Sequence, residues 1–200
     1  MTGDLIAWVA VVALAAANIA LFLNRDWRWS LGLLAIDYLA AFALTAQYWP
    51  LGLAAVKLIT GWMATVALGM TGLRANPEDT QSLTWLGARP FRLFGIAIVL
   101  LAAFAAAPSL EDMLPGIGVP VAAGSLILAG AGLLQLGMTS EVLRVVVGLL
   151  TLLCGFETLY AAVESSILVA ALLSVVNLGL ALAGSYLLVN SAIPEEEESL

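Results

Sequence analysis

LRVVVGLLTLLCGFETLYAAV, residues 143–163, is apolar over enough length to cross a bilayer as one helix, yet it holds a carboxylate, Glu157, well inside. About 20 consecutive apolar residues at 1.5 Å each span roughly 30 Å of hydrocarbon. A charged side chain at such depth costs about 2.5–3.5 kcal/mol on insertion scales. Chains keep such a residue where it meets a counter-charge, a water-filled cavity or a proton path. The other apolar stretches supply spans around it, and one of them carries an obvious counter-charge, Lys57.

The composition agrees with a membrane setting. Soluble domains carry about 45–50% apolar and about 25% charged residues. This chain of 200 residues is 62% hydrophobic and 10% charged, with a mean hydropathy of +1.06. Its apolar blocks are long and continuous, unlike the short alternating segments of a transmembrane barrel. The expected fold is therefore all-α, a polytopic transmembrane bundle of seven helices in a single integral membrane domain. The spans are read at about 5–23, 30–48, 51–73, 91–107, 117–138, 142–163 and 166–189, with an acidic tail over 190–200. Helix four is expected to end at Pro108 and helix six to be capped by Thr139-Ser140-Glu141. Between helices three and four, Asn76-Pro77-Glu78-Asp79 is a turn signal, and Leu83-Thr84-Trp85-Leu86 is expected along the interface. Before the first span, Met1 to Asp4 carry no basic residue, so the span is read as retained rather than as a signal peptide.

The arginines set the expected direction. Arg25, Arg28, Arg74, Arg89, Arg92 and Arg144 all fall in, or border, the loops on one side of a seven-span chain. By the positive-inside rule the N-terminus lies outside and the C-terminus is cytoplasmic, in the cell's inner (plasma) membrane.

Several chemistries are excluded. With one cysteine, Cys154, and no histidine, the chain cannot close an internal disulfide, hold haem through His or build an iron–sulfur cluster alone. No cofactor and no metal site is expected. The net charge of −7 owes much to the Glu195–Glu198 run, and no basic cluster suggests nucleic acid.

Within the spans the ionisable residues reduce to Asp37, Lys57 and Glu157. Lys57 and Glu157 each lie six or seven residues from the outer end of their helices, hence at one level about 10 Å deep. An amine and a carboxylate at one depth neutralise one another. The functional reading is a proton-relay or coupling pair; the plainer one is a salt bridge that fixes packing, or a lysine snorkelling outward. Asp37, a further proton-relay candidate, has three candidate partners, a neighbouring subunit, Tyr38 or Asn18. Asn177, near mid-membrane, is a candidate extension of a path from Glu157, or simply an interhelical hydrogen bond. Gly148, Thr151, Gly155 and Thr158 recur at helical spacing as a small-residue stripe for close packing. Glu157 is displaced about 200° from Gly155, so helix six presents its small face to one neighbour and its carboxylate to another.

At helices three and six the chain resembles membrane component E of formate-hydrogenlyase-type (group 4) hydrogenases, a relative of the K subunit of respiratory complex I. Val56-Lys57-Leu58, followed by an apolar run and Arg74-Ala75-Asn76-Pro77, resembles that family's lysine-bearing third span. Leu143-Arg144-Val145-Val146-Val147-Gly148 resembles the LRxxxG start of its sixth, and the chain from about Gly116 on looks like the three-helix K subunit. The resemblance implies a non-catalytic membrane subunit beside antiporter-like subunits, with redox centres on other chains. One departure matters: the family sets a glutamate close after that glycine, where Leu150 and Leu153 stand here, and helix seven lacks an acid. Either the carboxylate has moved to Glu157, or proton conduction through this chain is degraded. Two other classes stay open: a structural anchor or assembly subunit, and a small self-contained secondary transporter. The latter should show inverted repeats and broken helices, whereas Pro108, Pro115 and Pro120 sit near span ends.

Overall fold

In a computed structural model the described residues, 2–24, 26–75, 89–114 and 116–191, form seven α-helices. They are α1 (Thr2–Leu23), α2 (Trp27–Thr45), α3 (Leu51–Ala75), α4 (Arg89–Met113), α5 (Val119–Met138), α6 (Val142–Val163) and α7 (Ile167–Ser191). Among the described residues there is no strand. The expected turn at 76–79, the interfacial stretch at 83–86 and the tail beyond Ser191 lie outside them.

Six of the helices are long and apolar enough to cross a membrane; α2, shorter and carrying Arg28 and Asp37, falls outside that set. The chain is thus a multi-pass membrane protein by length and composition. Helices are the economical answer here because lipid offers no partner for a free backbone N–H or C=O.

Helix limits follow local chemistry. α2 begins three residues before its expected start because Asp26 caps it, its Oδ1 accepting from the Arg28 N–H at 3.1 Å. It ends at Thr45 in a tight turn before Pro50, and the Tyr48 hydroxyl there accepts the Gly118 N–H at 2.8 Å. That bond ties the α2–α3 turn to the start of α5. α4 runs through Pro108 to Met113, past its expected end. The proline forfeits one helical hydrogen bond, but Ala107, Leu110 and Leu114 keep packing on the core and hold the last turns. Gly116, at φ 105°, then reverses the chain in the left-handed region where glycine is unstrained. α6 is not capped as expected: its N-cap is Glu141, with no side-chain cap bond, and Glu141 Oε2 instead accepts from Arg144 Nε at 2.6 Å.

α2 is the hub. It packs on α1, α3, α5 and α6, and Leu34, Tyr38, Ala41 and Leu44 are fully enclosed. α4 and α7 lie at the margins, with only 17% and 22% of their apolar windows buried. Within α2, Asp37, Tyr38 and Thr45 are enclosed by protein, while Arg28 at its start is exposed.

α5 and α6 meet backbone to backbone. A Cβ at Gly155 would sit 2.6 Å from Ala129 N and 2.8 Å from Ser125 O, and one at Gly132 would sit 2.7 Å from Gly148 O. The small stripe of α6 thus faces α5 through Gly148 and Gly155. Its α5 counterpart, Ser125, Ala129 and Gly132, did not stand out in the sequence.

Candidate functional site

Two turns into α3, Lys57 turns inward, and one and a half turns before the end of α6, Glu157 turns to meet it. Their side chains are about 5% exposed, and Lys57 Nζ lies 3.4 Å from Glu157 Oε2. The ammonium also donates to Thr158 Oγ1 at 3.0 Å and to the Cys154 carbonyl at 3.1 Å. Lys57 thus has two hydrogen-bond acceptors and one ion-pair partner. Thr158 reaches this position because its hydroxyl also donates back to Cys154 O at 2.7 Å. Thr158, grouped by spacing with the packing stripe, belongs to the ion-pair site; Thr151 bonds its own helix at Val147 O.

The carboxylate's second oxygen continues the chain. Glu157 Oε1 accepts from Asn177 Nδ2 at 2.5 Å, and Asn177 Oδ1 accepts from the Tyr38 hydroxyl at 3.0 Å. Tyr38 and Asn177 are at most 1% exposed. One hydrogen-bonded line therefore runs from α2 through α7 and α6 to α3. Burial of two charges costs several kcal/mol per ion in real proteins and is offset only when every lone pair and proton is used. Around Lys57 and Glu157 each charged atom has at least one partner.

Tyr38 was weighed in the sequence only as a neighbour for Asp37. Its place in the line depends on Gly61, one turn after Lys57 on the same face of α3, where any Cβ would overlap the Tyr38 ring. A glycine four residues beyond a buried lysine is the signal that could have found it.

Asp37 is not part of that line. It is fully buried, and its Oδ1 accepts from Asn18 Nδ2 at 3.0 Å, which selects Asn18 among the three expected partners. Asn18 Nδ2 donates as well to Leu14 O at 2.9 Å. Asp37 Oδ2 and Asn18 Oδ1 have no hydrogen-bond partner among the described residues. Neighbouring helical positions point about 100° apart, so α2 sends Asp37 toward α1 and Tyr38 toward α3 and α7.

The ion pair borders a narrow cleft between α3 and α7, lined by Trp49, Leu53, Val56, Ala170, Leu173 and Ser174. Trp49 is fixed at the α2–α3 turn by its Nε1–H bond to Glu164 O at 3.0 Å. The arrangement can hold a proton or positive charge against a carboxylate and pass a polarisation change along Asn177 to Tyr38. Among the described residues no group of three or more His, Cys, Asp or Glu side chains gathers as a metal site.

Compared with protein-family models, with curated proteins and with solved structures, the chain finds no match.

Proposed function

We propose that the chain is a non-catalytic integral membrane subunit of a complex I-like or hydrogenase-like assembly that moves protons or ions, with Lys57 and Glu157 in a relay or coupling role. In this reading the bundle crosses the plasma membrane seven times, N-terminus outside and C-terminus cytoplasmic, as the arginine distribution favours. Antiporter-like membrane subunits cover the exposed faces of the marginal helices, and electron transfer belongs to other chains.

The observation that carries the reading is the buried ion pair joined to Asn177 and Tyr38 across four helices. Such residues inside a membrane mark ion and proton pathways more often than they mark scaffolding. The resemblance at Val56-Lys57-Leu58 and Leu143–Gly148 points the same way.

The decisive experiment is Glu157→Gln in the assembled complex, with proton pumping measured in vesicles alongside electron transfer. Pumping should fall severalfold while the complex still assembles. Unchanged pumping would reject the relay. A second reading has its own support: two hydrogen bonds and an ion pair hold Lys57, as they would a static anchor. Neutral replacement of Lys57 and Glu157 together, with assembly and pumping both intact, would establish that anchor instead.

A further inference from the structure

Asp37 and Asn18 meet where α1 packs on α2, and both side chains are fully enclosed. Asn18 Nδ2 gives its two hydrogens to Asp37 Oδ1 at 3.0 Å and to Leu14 O at 2.9 Å. Those two acceptors settle which end of the amide is nitrogen, because turning it over would set Asn18 Oδ1 against two other oxygens. Two oxygens are then left enclosed and without a donor among the described residues, Asp37 Oδ2 and Asn18 Oδ1. They belong to side chains that one hydrogen bond already joins.

The same bundle shows how it keeps a carboxylate charged. Glu157 has the Lys57 ammonium at one oxygen and the Asn177 amide at the other. Asp37 has a single amide hydrogen and no cation. Among the described residues Lys57 is the one basic residue away from the helix ends, and it is committed to Glu157, Thr158 and the Cys154 carbonyl. The titratable groups nearest Asp37 are acids: Tyr38 beside it on α2, with Cys154 and Glu157 on α6. No residue of α5 titrates, and in α1 only Asp4 does, about 20 Å along the helix from Asn18. A charge on Asp37 would stand alone among groups that can only repel it. A buried carboxyl in that position neutralises instead.

We propose that Asp37 is a proton-binding site, occupied at neutral pH as the neutral acid and held by Asn18. The proton, taken from water, bonds to Asp37 Oδ2 and removes the charge. It also turns that oxygen from an acceptor without a donor into a donor, and supplies the hydrogen that Asn18 Oδ1 lacks. Acid and amide then each give and receive one hydrogen bond. The site is separate from the Lys57–Glu157 pair and does not rest on that pair's acting as a relay. Because Asp37 and Tyr38 are consecutive, α2 carries a bound proton on its α1 face and the end of the hydrogen-bonded line on another.

The test is infrared spectroscopy of the full chain in lipid nanodiscs at neutral pH, where a protonated carboxyl absorbs apart from a carboxylate. The wild type should show a protonated-carboxyl band that moves when aspartate is labelled with carbon-13 at its side-chain carboxyl. Asp4, Asp26 and Asp112 are exposed, so the labelled band reports Asp37. Asp37→Asn, which keeps the neutral acid's shape and can give the same hydrogen, should fold and lose the band. Asn18→Leu should keep the band and raise its frequency, because the acid hydroxyl loses its acceptor. The spectra should be the same in sodium chloride and in choline chloride. Absence of a labelled protonated band in the wild type, or its survival in Asp37→Asn, would overturn the proposal. A band lost in sodium chloride alone would overturn it in favour of a monovalent-cation site. A band unmoved in Asn18→Leu would overturn the pairing with Asn18. If Asp37→Asn does not fold, the labelled wild-type band and its shift in Asn18→Leu decide the matter.

Discussion

Lys57 and Glu157 each satisfy what the other would otherwise leave exposed to a medium without water. Removing one therefore does more harm than removing both. Lys57→Met leaves a buried carboxylate with only Asn177 as partner, and Glu157→Gln leaves an ammonium without a counter-charge. Each single change should cost about 3–5 kcal/mol. Neutral interhelical hydrogen bonds in membranes average only about 0.6 kcal/mol, so the double variant should cost well under the sum of the two. Unfolding of the purified chain in mixed micelles with rising SDS measures the cycle; additive effects would show that the two charges act independently. The pair was legible in the sequence because depth can be counted from helix ends, and equal depth on two helices invites a contact. Tyr38 was not. Whether a side chain at position 38 meets α1 or α7 depends on the rotation of α2, which a helix with few exposed positions does not reveal from its pattern. Asp37 illustrates the same limit: its partner Asn18 was one of three alternatives, and only packing chose.

Among the helices, close approach is set by glycines whose importance depends on what faces them. Gly155 and Gly132 lie within 3 Å of backbone atoms of the opposite helix, whereas Gly179 on α7 has nothing within 4 Å. Backbone cannot swing aside as a long side chain can. Gly155→Ala should therefore force α5 and α6 apart and destabilise by about 1–3 kcal/mol, the usual range for overpacking. Gly179→Ala should be neutral or stabilising by up to about 1 kcal/mol through helix propensity alone. Micelle unfolding of the two variants side by side separates the effects; equal behaviour would mean that the α5–α6 contact carries no special weight. One half of this interface could be read from the spacing of Gly148 and Gly155. The other half could not, because Ser125, Ala129 and Gly132 stand in a helix where small residues are everywhere. Pro108 misled in the opposite direction. A proline reads as a stop, yet α4 continues because its last turns still have core to cover.

For the molecule as a whole, the number of crossings turns on α2. It is the one helix outside the set that length and apolar character qualify as spans, yet it packs on α1, α3, α5 and α6. A helix surrounded by other helices need not be apolar on every face, so Asp37 and Tyr38 lower its hydropathy without exposing charge to lipid. We expect α2 to cross, which puts the turn at Gly116 and the α6–α7 turn at Ser165 on one side, and Asn24 and Ser140 on the other. Single cysteines at these four positions, probed in intact cells with a membrane-impermeant maleimide, test it. The background is blank, since Cys154 is fully buried and should not react. Gly116→Cys and Ser165→Cys should label from outside, and Asn24→Cys and Ser140→Cys only after permeabilisation. Labelling of Asn24→Cys on the same side as Gly116→Cys would mean that α2 does not cross. Lys57 and Glu157, with α3 to α6 between them, would still share a side, but Tyr38 could not then reach Asn177 from within the bundle, and the line of hydrogen bonds would lose its α2 end.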